Sequence, residues 1–253
     1  MNALLFAIQF LTRIPVPFRY RIDHQVQRQS FYWHGVVGLL IGIVLIAGYY
    51  LASWLFQDAP LVIAVLLLIL WTAITGALHL DGLADSADAW LGGYGDKDKT
   101  LAIMKDPTSG PAAIVWVVLL LLLKFAALVS IAKQGQGQEQ LLALLAAPVI
   151  ARLASMALLM TTPYVRENGL GSPLVENIKT PLIVAQIIAA AAFIIIFAGA
   201  NGAAAIGLAI VSGIYWRNLM LKRIHGTTGD TAGALIEWVE AVVLLGFTLA
   251  IIE

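Results

Sequence analysis

Seven stretches of roughly twenty mostly apolar residues follow one another along the chain, and little polar sequence is left between them. They are Phe31–Phe56, Leu61–Leu80, Pro111–Ala132, Gln140–Thr161, Pro181–Ala200, Gly202–Leu221 and Ala232–Ile252. A span of that length crosses the hydrocarbon core of a bilayer as a helix, which satisfies its own backbone hydrogen bonds. The expected fold is therefore all-α: a polytopic membrane helix bundle of about seven transmembrane helices. Only Lys124, Arg152, Arg217, Glu237 and Glu240 bring charge into these runs. Of the 253 residues 60% are hydrophobic and 12% charged, against roughly 25% charged in a soluble domain. No polar stretch is long enough for a second soluble domain, so residues 1–253 read as one integral membrane domain. The N-terminal Met1–Phe18 is apolar but short, is broken at Pro15 and Pro17, and lacks a basic leader. Residues 1–30 are thus expected to form an N-terminal segment that lies at the interface or re-enters the bundle.

The charges exclude as well as suggest. Fifteen bases and fifteen acids cancel, which rules out a polybasic nucleic-acid binder and an acidic tail. The absence of cysteine excludes disulfides, thiolate metal sites and cysteine nucleophiles. With Lys124 and Arg152 set aside as intramembrane, twelve of the remaining thirteen Lys and Arg fall on one side of the seven runs, and Lys133 alone on the other. By the positive-inside rule the chain is N-in and C-out. The connection 81–110, read as an acidic catalytic loop, and the polar stretch Arg217–Thr231 then both face the cytoplasm.

That connection opens with His79-Leu80-Asp81-Gly82-Leu83-Ala84-Asp85-Ser86-Ala87-Asp88. If helical, it gathers Asp81, Asp85 and Asp88 within an arc of about 60°. Three like charges on one face repel unless a cation neutralises them, and carboxylate oxygens suit Mg²⁺ or Mn²⁺. The alternative is a solvated polar helix end. Gly92-Gly93-Tyr94-Gly95-Asp96 reads as a turn, and Lys97-Asp98-Lys99 as the start of an exposed helix. In Ile103-Met104-Lys105-Asp106-Pro107-Thr108-Ser109-Gly110, a phosphate could meet Lys105 and a helix N-terminus, or the segment simply caps the next span. A second polar group, His225 to Glu237, sets Asp230 and Glu237 seven residues apart on one face, about 10 Å along a helix. Asp230 is a ligand or an N-cap. Glu237 and Glu240 bind metal or pair with Lys124 and Arg152. His34 and His79 border spans, as proton shuttle, donor or ligand, or merely satisfying local hydrogen bonds. Gly35, Gly38 and Gly42 fit close helix packing. No P-loop, Rossmann fingerprint or Ser-His-Asp order occurs.

Clustered aspartates at a membrane surface, with basic and hydroxyl groups nearby, point to metal-assisted displacement at phosphorus. The CDP-alcohol phosphotransferase pattern, D-G-x2-A-R-x8-G-x3-D-x3-D, is met only in part. Asp81-Gly82 and Gly92-x3-Asp96 fit, but Ala84 comes one position early, Asp85 follows it in place of arginine, and Thr100 replaces the last aspartate. Another metal-dependent phosphotransferase of this type is thus an alternative. Lys124, Arg152, Glu237 and Glu240 would also sit within the bundle of a secondary transporter, a reading that leaves the aspartate cluster unexplained. A structural membrane subunit is a third class.

The chain much more closely resembles the cobalamin (5'-phosphate) synthase, or adenosylcobinamide-GDP ribazoletransferase, family. The matching stretches are Phe6 to Pro17, His79 to Asp88, Ile103-Met104-Lys105-Asp106, and Thr228-Gly229-Asp230-Thr231-Ala232-Gly233-Ala234 with Glu237. The resemblance implies an enzyme of the bacterial cytoplasmic (inner) membrane that joins adenosylcobinamide-GDP to α-ribazole or its 5'-phosphate, releasing GMP. It implies that Asp81, Asp85 and Asp88 hold Mg²⁺, and that one of them or His79 accepts the hydroxyl proton. Lys105 and Arg13 become expected phosphate contacts, and Asp106, Asp230 and Glu237 second-site ligands or orienters. The expected partners are these substrates and the lipid bilayer, without nucleic acid; a homo-oligomer is left open.

Overall fold

A computed structural model describes residues 2–16, 23–166 and 180–249. Arg19, Arg21 and Lys179, counted above, lie outside the described residues, as do Phe18 and the end of the last apolar run. The described chain forms ten helices: α1 (Asn2–Leu11), α2 (His24–Phe31), α3 (His34–Leu55), α4 (Pro60–Thr75), α5 (Leu78–Gly93), α6 (Lys97–Ile103), α7 (Pro111–Lys133), α8 (Gln138–Thr161), α9 (Thr180–Ile224) and α10 (Gly229–Gly246). Their starts follow local chemistry. Pro60 and Pro111 open α4 and α7, where a missing N–H costs nothing. Thr228 and Thr231 close a reciprocal capping box on α10.

Among the described residues four helices (α3, α7, α8 and α9) are long and apolar enough to cross a membrane, or five if the bent pair α4 and α5 forms one span. The protein is thus an all-helical membrane bundle. The expected fifth and sixth runs are merged in the 45 residues of α9, but Gly199, at φ 53° and ψ −130°, breaks it near their boundary. At 1.5 Å per residue the segments on either side of Gly199 run about 29 and about 38 Å, each long enough to match the hydrocarbon thickness.

The second run departs from expectation. Its helix ends at Thr75 rather than Leu80, because Gly76 and Ala77 both take left-handed backbone, at φ 62° and 57°. The chain then turns by 88° into α5. The connection 81–110, expected as a loop, is largely helical as α5 and α6. Small residues permit this: a Cβ on Gly82 would lie 2.6 Å from the Asp230 carbonyl oxygen, so α5 packs backbone to backbone on α10.

Helix α8 is the most enclosed of the four spans, packed among α3, α9 and α10. On α3, a Cβ on Gly38 would meet the Pro148 carbonyl at 2.6 Å, and one on Gly42 would meet the Leu145 Cα at 2.9 Å. These glycines set the α3–α8 distance. At the centre of the bundle Lys124 of α7 donates to Glu237 and Glu240 of α10, at 2.5 Å each, and Arg152 of α8 pairs with Glu240. All four side chains are at most 4% exposed. Two positive and two negative charges cancel, and the indole ring of Trp71 faces the Lys124 ammonium at 4.9 Å.

Candidate functional site

The polar end of the bundle is built where α5 crosses the start of α10. About two helical turns of α5 carry Asp81, Asp85 and Asp88 on one face, of which Asp81 is exposed and the other two are half-buried. The tight contact at Gly82 brings Asp230, in the first turn of α10, beside this row. Helix α5 lies past the 88° bend and carries three aspartates in its sixteen residues, a charge density that hydrocarbon disfavours. Burial raises the Asp85 carboxyl to about 6, and the charges of Asp81, Asp230 and Asp88 push the same way, against the opposing pull of Arg166. The four carboxylates thus share one electrostatic neighbourhood.

Asp88 is engaged differently from its neighbours. Its two oxygens accept from the backbone N–H groups of Gly110, at 2.5 Å, and Ala113, at 2.9 Å. It therefore caps α7 from another helix, taking up amides that have no partner within α7. Asp81 and Asp85 make no such bonds among the described residues. No three carboxylate or imidazole side chains of the described residues converge as a ready-made metal cluster. The donor chemistry nevertheless fits a hard divalent cation. Asp81 and Asp85 offer unengaged carboxylate oxygens next to Asp230, and like-charge crowding favours a cation. Asp88 fits this role least, since both of its oxygens are taken.

Other expected site residues lie elsewhere. His79 is 3% exposed and stands about 160° around α5 from Asp81. Its Cα would be 3.4 Å from a Cβ on Gly233, so it faces α10 and the buried ion network rather than the carboxylate row. Glu237 is consumed by Lys124. Asp106 accepts from the N–H and hydroxyl of Thr108, at 2.9 and 2.6 Å, and those bonds hold its carboxyl below the usual range. Lys105 is exposed and forms no ion pair among the described residues. Arg13 packs its stem over Gly76, where a Cβ would meet its Cγ within 2.3 Å, and its backbone N–H donates to the Ile74 carbonyl at 2.6 Å. It buttresses the bend between α4 and α5.

Arg166, which the sequence singled out only as one base in the orientation count, does reach the carboxylates. Its Nη1 lies 2.9 Å from Asp230 Oδ2, and its Nη2 donates to the Met104 carbonyl at 3.3 Å. A short bridge places it there: Val165 N–H donates to the Thr227 carbonyl at 2.9 Å, and Thr227 N–H to the Pro163 carbonyl at 2.8 Å. No short motif around Arg166 announces that pairing.

Residues 3–248 match the model of the family described as Cobalamin-5-phosphate synthase. The chain is similar to adenosylcobinamide-GDP ribazoletransferase of Stutzerimonas stutzeri (strain A1501), with 47% identity over 254 residues and 99% of each chain covered. It is likewise similar to the proteins of that name from Pseudomonas fluorescens strain Pf0-1, at 44% identity over 98% of this chain and 100% of the relative. For strain SBW25 of the same species the identity is 47%, over 96% of this chain and 98% of the relative. No solved structure gives a significant match.

Proposed function

The chain belongs to the cobalamin-5-phosphate synthase family, and from that premise we propose that it is an adenosylcobinamide-GDP ribazoletransferase whose reaction centre is the carboxylate mouth between α5 and α10. In this reading the ribose hydroxyl of α-ribazole, or of its 5'-phosphate, attacks the phosphorus that bears the aminopropanol arm of the corrinoid. A new P–O bond forms to the ribazole, the P–O bond of the diphosphate bridge breaks, and GMP leaves. The hydroxyl proton passes to a carboxylate of the mouth rather than to His79, which faces the opposite side of α5. Mg²⁺, or Mn²⁺, held by Asp81 and Asp85 with Asp230 beside them, would neutralise charge on the diphosphate and on the departing GMP.

Asp88 contributes by fixing the start of α7 against α5, and the Lys124–Glu237–Glu240–Arg152 network contributes by holding α10 in register. The Lys and Arg asymmetry supports an N-in, C-out arrangement in the bacterial inner membrane, with the mouth open to the cytoplasm where nucleotide-activated substrates occur. The observation that carries the proposal is the field shared by Asp81, Asp85, Asp88 and Asp230 in a chain matched to the family over nearly its whole length. Detergent-purified protein should convert adenosylcobinamide-GDP and α-ribazole to a joined corrinoid and GMP, stop on addition of EDTA, and recover with excess Mg²⁺. Absence of GMP from active-site-intact, folded protein overturns the function; turnover that persists in EDTA overturns the metal.

A further inference from the structure

An acidic mouth is a poor place to bring a diphosphate, which adds two ionised phosphoryl oxygens to four carboxylates. A divalent cation offsets part of that repulsion, and the chain must supply the rest. Neither basic residue that the sequence offered for this task pairs with the carboxylates among the described residues: Lys105 is exposed, one residue beyond the Met104 carbonyl that accepts from Arg166, and Arg13 lies over Gly76 at the α4–α5 bend. The cation that enters the electrostatic field of Asp85 is Arg166.

Its placement suits phosphate in three ways. The side chain is only 23% exposed and the Asp230 side chain 20%, so the guanidinium sits within the mouth and is not spread over the surface. It is anchored at both ends, by the bridge from the Pro163–Val165 strand of chain to Thr227 and by the Nη1 contact with Asp230. The guanidinium carries five N–H donors, of which, among the described residues, the contacts with Asp230 and Met104 use one each. The planar fork that remains matches the oxygens of a phosphate bidentately, which a lysine ammonium does not do.

We propose that Arg166 is the phosphate-contacting residue of this site, anchored on Asp230 and directing its remaining N–H donors to the diphosphate of the GDP-activated substrate. The inference rests on the ribazoletransferase reading. It makes Arg166 a substrate-binding residue and Asp230 the residue that orients it.

Purified full-length wild type, Arg166→Ala and Arg166→Lys are compared for binding of GDP in Mg²⁺ by calorimetry, for KM and kcat of the transfer, and for melting temperature. Arg166→Ala should weaken GDP about ten- to hundredfold, as expected for lost charge-assisted hydrogen bonds. KM for the GDP-activated corrinoid should rise by a similar factor, while the melting temperature stays within about 3 °C, since a partly exposed ion pair stabilises little. Arg166→Lys should recover part of the affinity, as it restores charge without the fork. If Arg166→Ala is not folded, the lysine variant alone decides, because it should still show the weakened GDP binding. GDP affinity and KM within twofold of wild type in the folded variants, with wild type binding GDP, overturn the assignment of Arg166 and leave the ribazoletransferase reading standing. A folded wild type that neither binds GDP nor releases GMP overturns that reading, and this inference with it.

Discussion

Replacing Lys124 by methionine tests what the buried charges are for. Lys124 is the described cation on Glu237 and shares Glu240 with Arg152. The substitution keeps the side chain's length but removes the ammonium that faces Trp71, and it strands Glu237 at 4% side-chain exposure. An ion pair at about 4 Å and an effective dielectric of 20 is worth about 4 kcal/mol. Breaking a buried pair from one side typically costs about 3–5 kcal/mol, because the abandoned charge stays buried. At about 2–4 °C per kcal/mol for a chain of this size, the melting temperature in detergent should fall by roughly 10 °C. The double variant Lys124→Met with Glu237→Gln should regain much of that loss, since no uncompensated charge remains and Arg152 still balances Glu240. Thermal melting followed by tryptophan fluorescence reads both. A Lys124→Met protein that melts within 2 °C of wild type, or a double variant less stable than the single one by the full additive amount, refutes the network as an electrostatic clamp.

Other consequences concern the mouth. The Asp85 carboxyl is raised to about 6, so at limiting Mg²⁺ turnover should fall as pH drops through that value, and the acid limb should move lower in Asp81→Asn, which removes a like charge. A carboxyl raised in the folded state favours folding most at low pH and loses that contribution as pH rises through 6, so Asp85→Asn should melt no lower than wild type at pH 8. An acid limb unmoved by Asp81→Asn contradicts the shared field. Asp88→Ala should destabilise by about 1–2 kcal/mol through loss of the α7 cap, with faster amide exchange concentrated at Gly110 to Ala113. Exchange unchanged there would show that the cap is not formed.

Much of the architecture was legible in the sequence because apolar length alone dictates membrane helices, and α3, α7 and α8 begin and end within three residues of their runs. The bend was not. Leu78-His79-Leu80 continues the hydrophobic pattern past Thr75, and Ala77 gives no sign of its left-handed backbone. The row of Asp81, Asp85 and Asp88 followed from helical spacing, but spacing says nothing of what each oxygen meets, so the capping of α7 by Asp88 was hidden. For Glu237 and Glu240 the sequence held two readings, ligands or partners of Lys124 and Arg152, and the packing of α7, α8 and α10 realises the second. His79 shares a motif with the aspartates and yet faces away from them, because two residues on a helix turn the side chain by about 200°. Arg166 escaped because its nearness to Asp230 is created by the pairing of Tyr164 with Thr227, a tertiary contact without a local signature.

The central claim is that the carboxylate face of α5 beside α10 carries out the transfer. Its most direct test is GMP release by purified Asp85→Asn, measured beside its melting curve. The structure predicts a folded protein, with a melting temperature at or above that of wild type, whose turnover falls by about a hundredfold or more, as when charge stabilisation is removed from a transition state. Wild-type GMP release from the folded variant would contradict it.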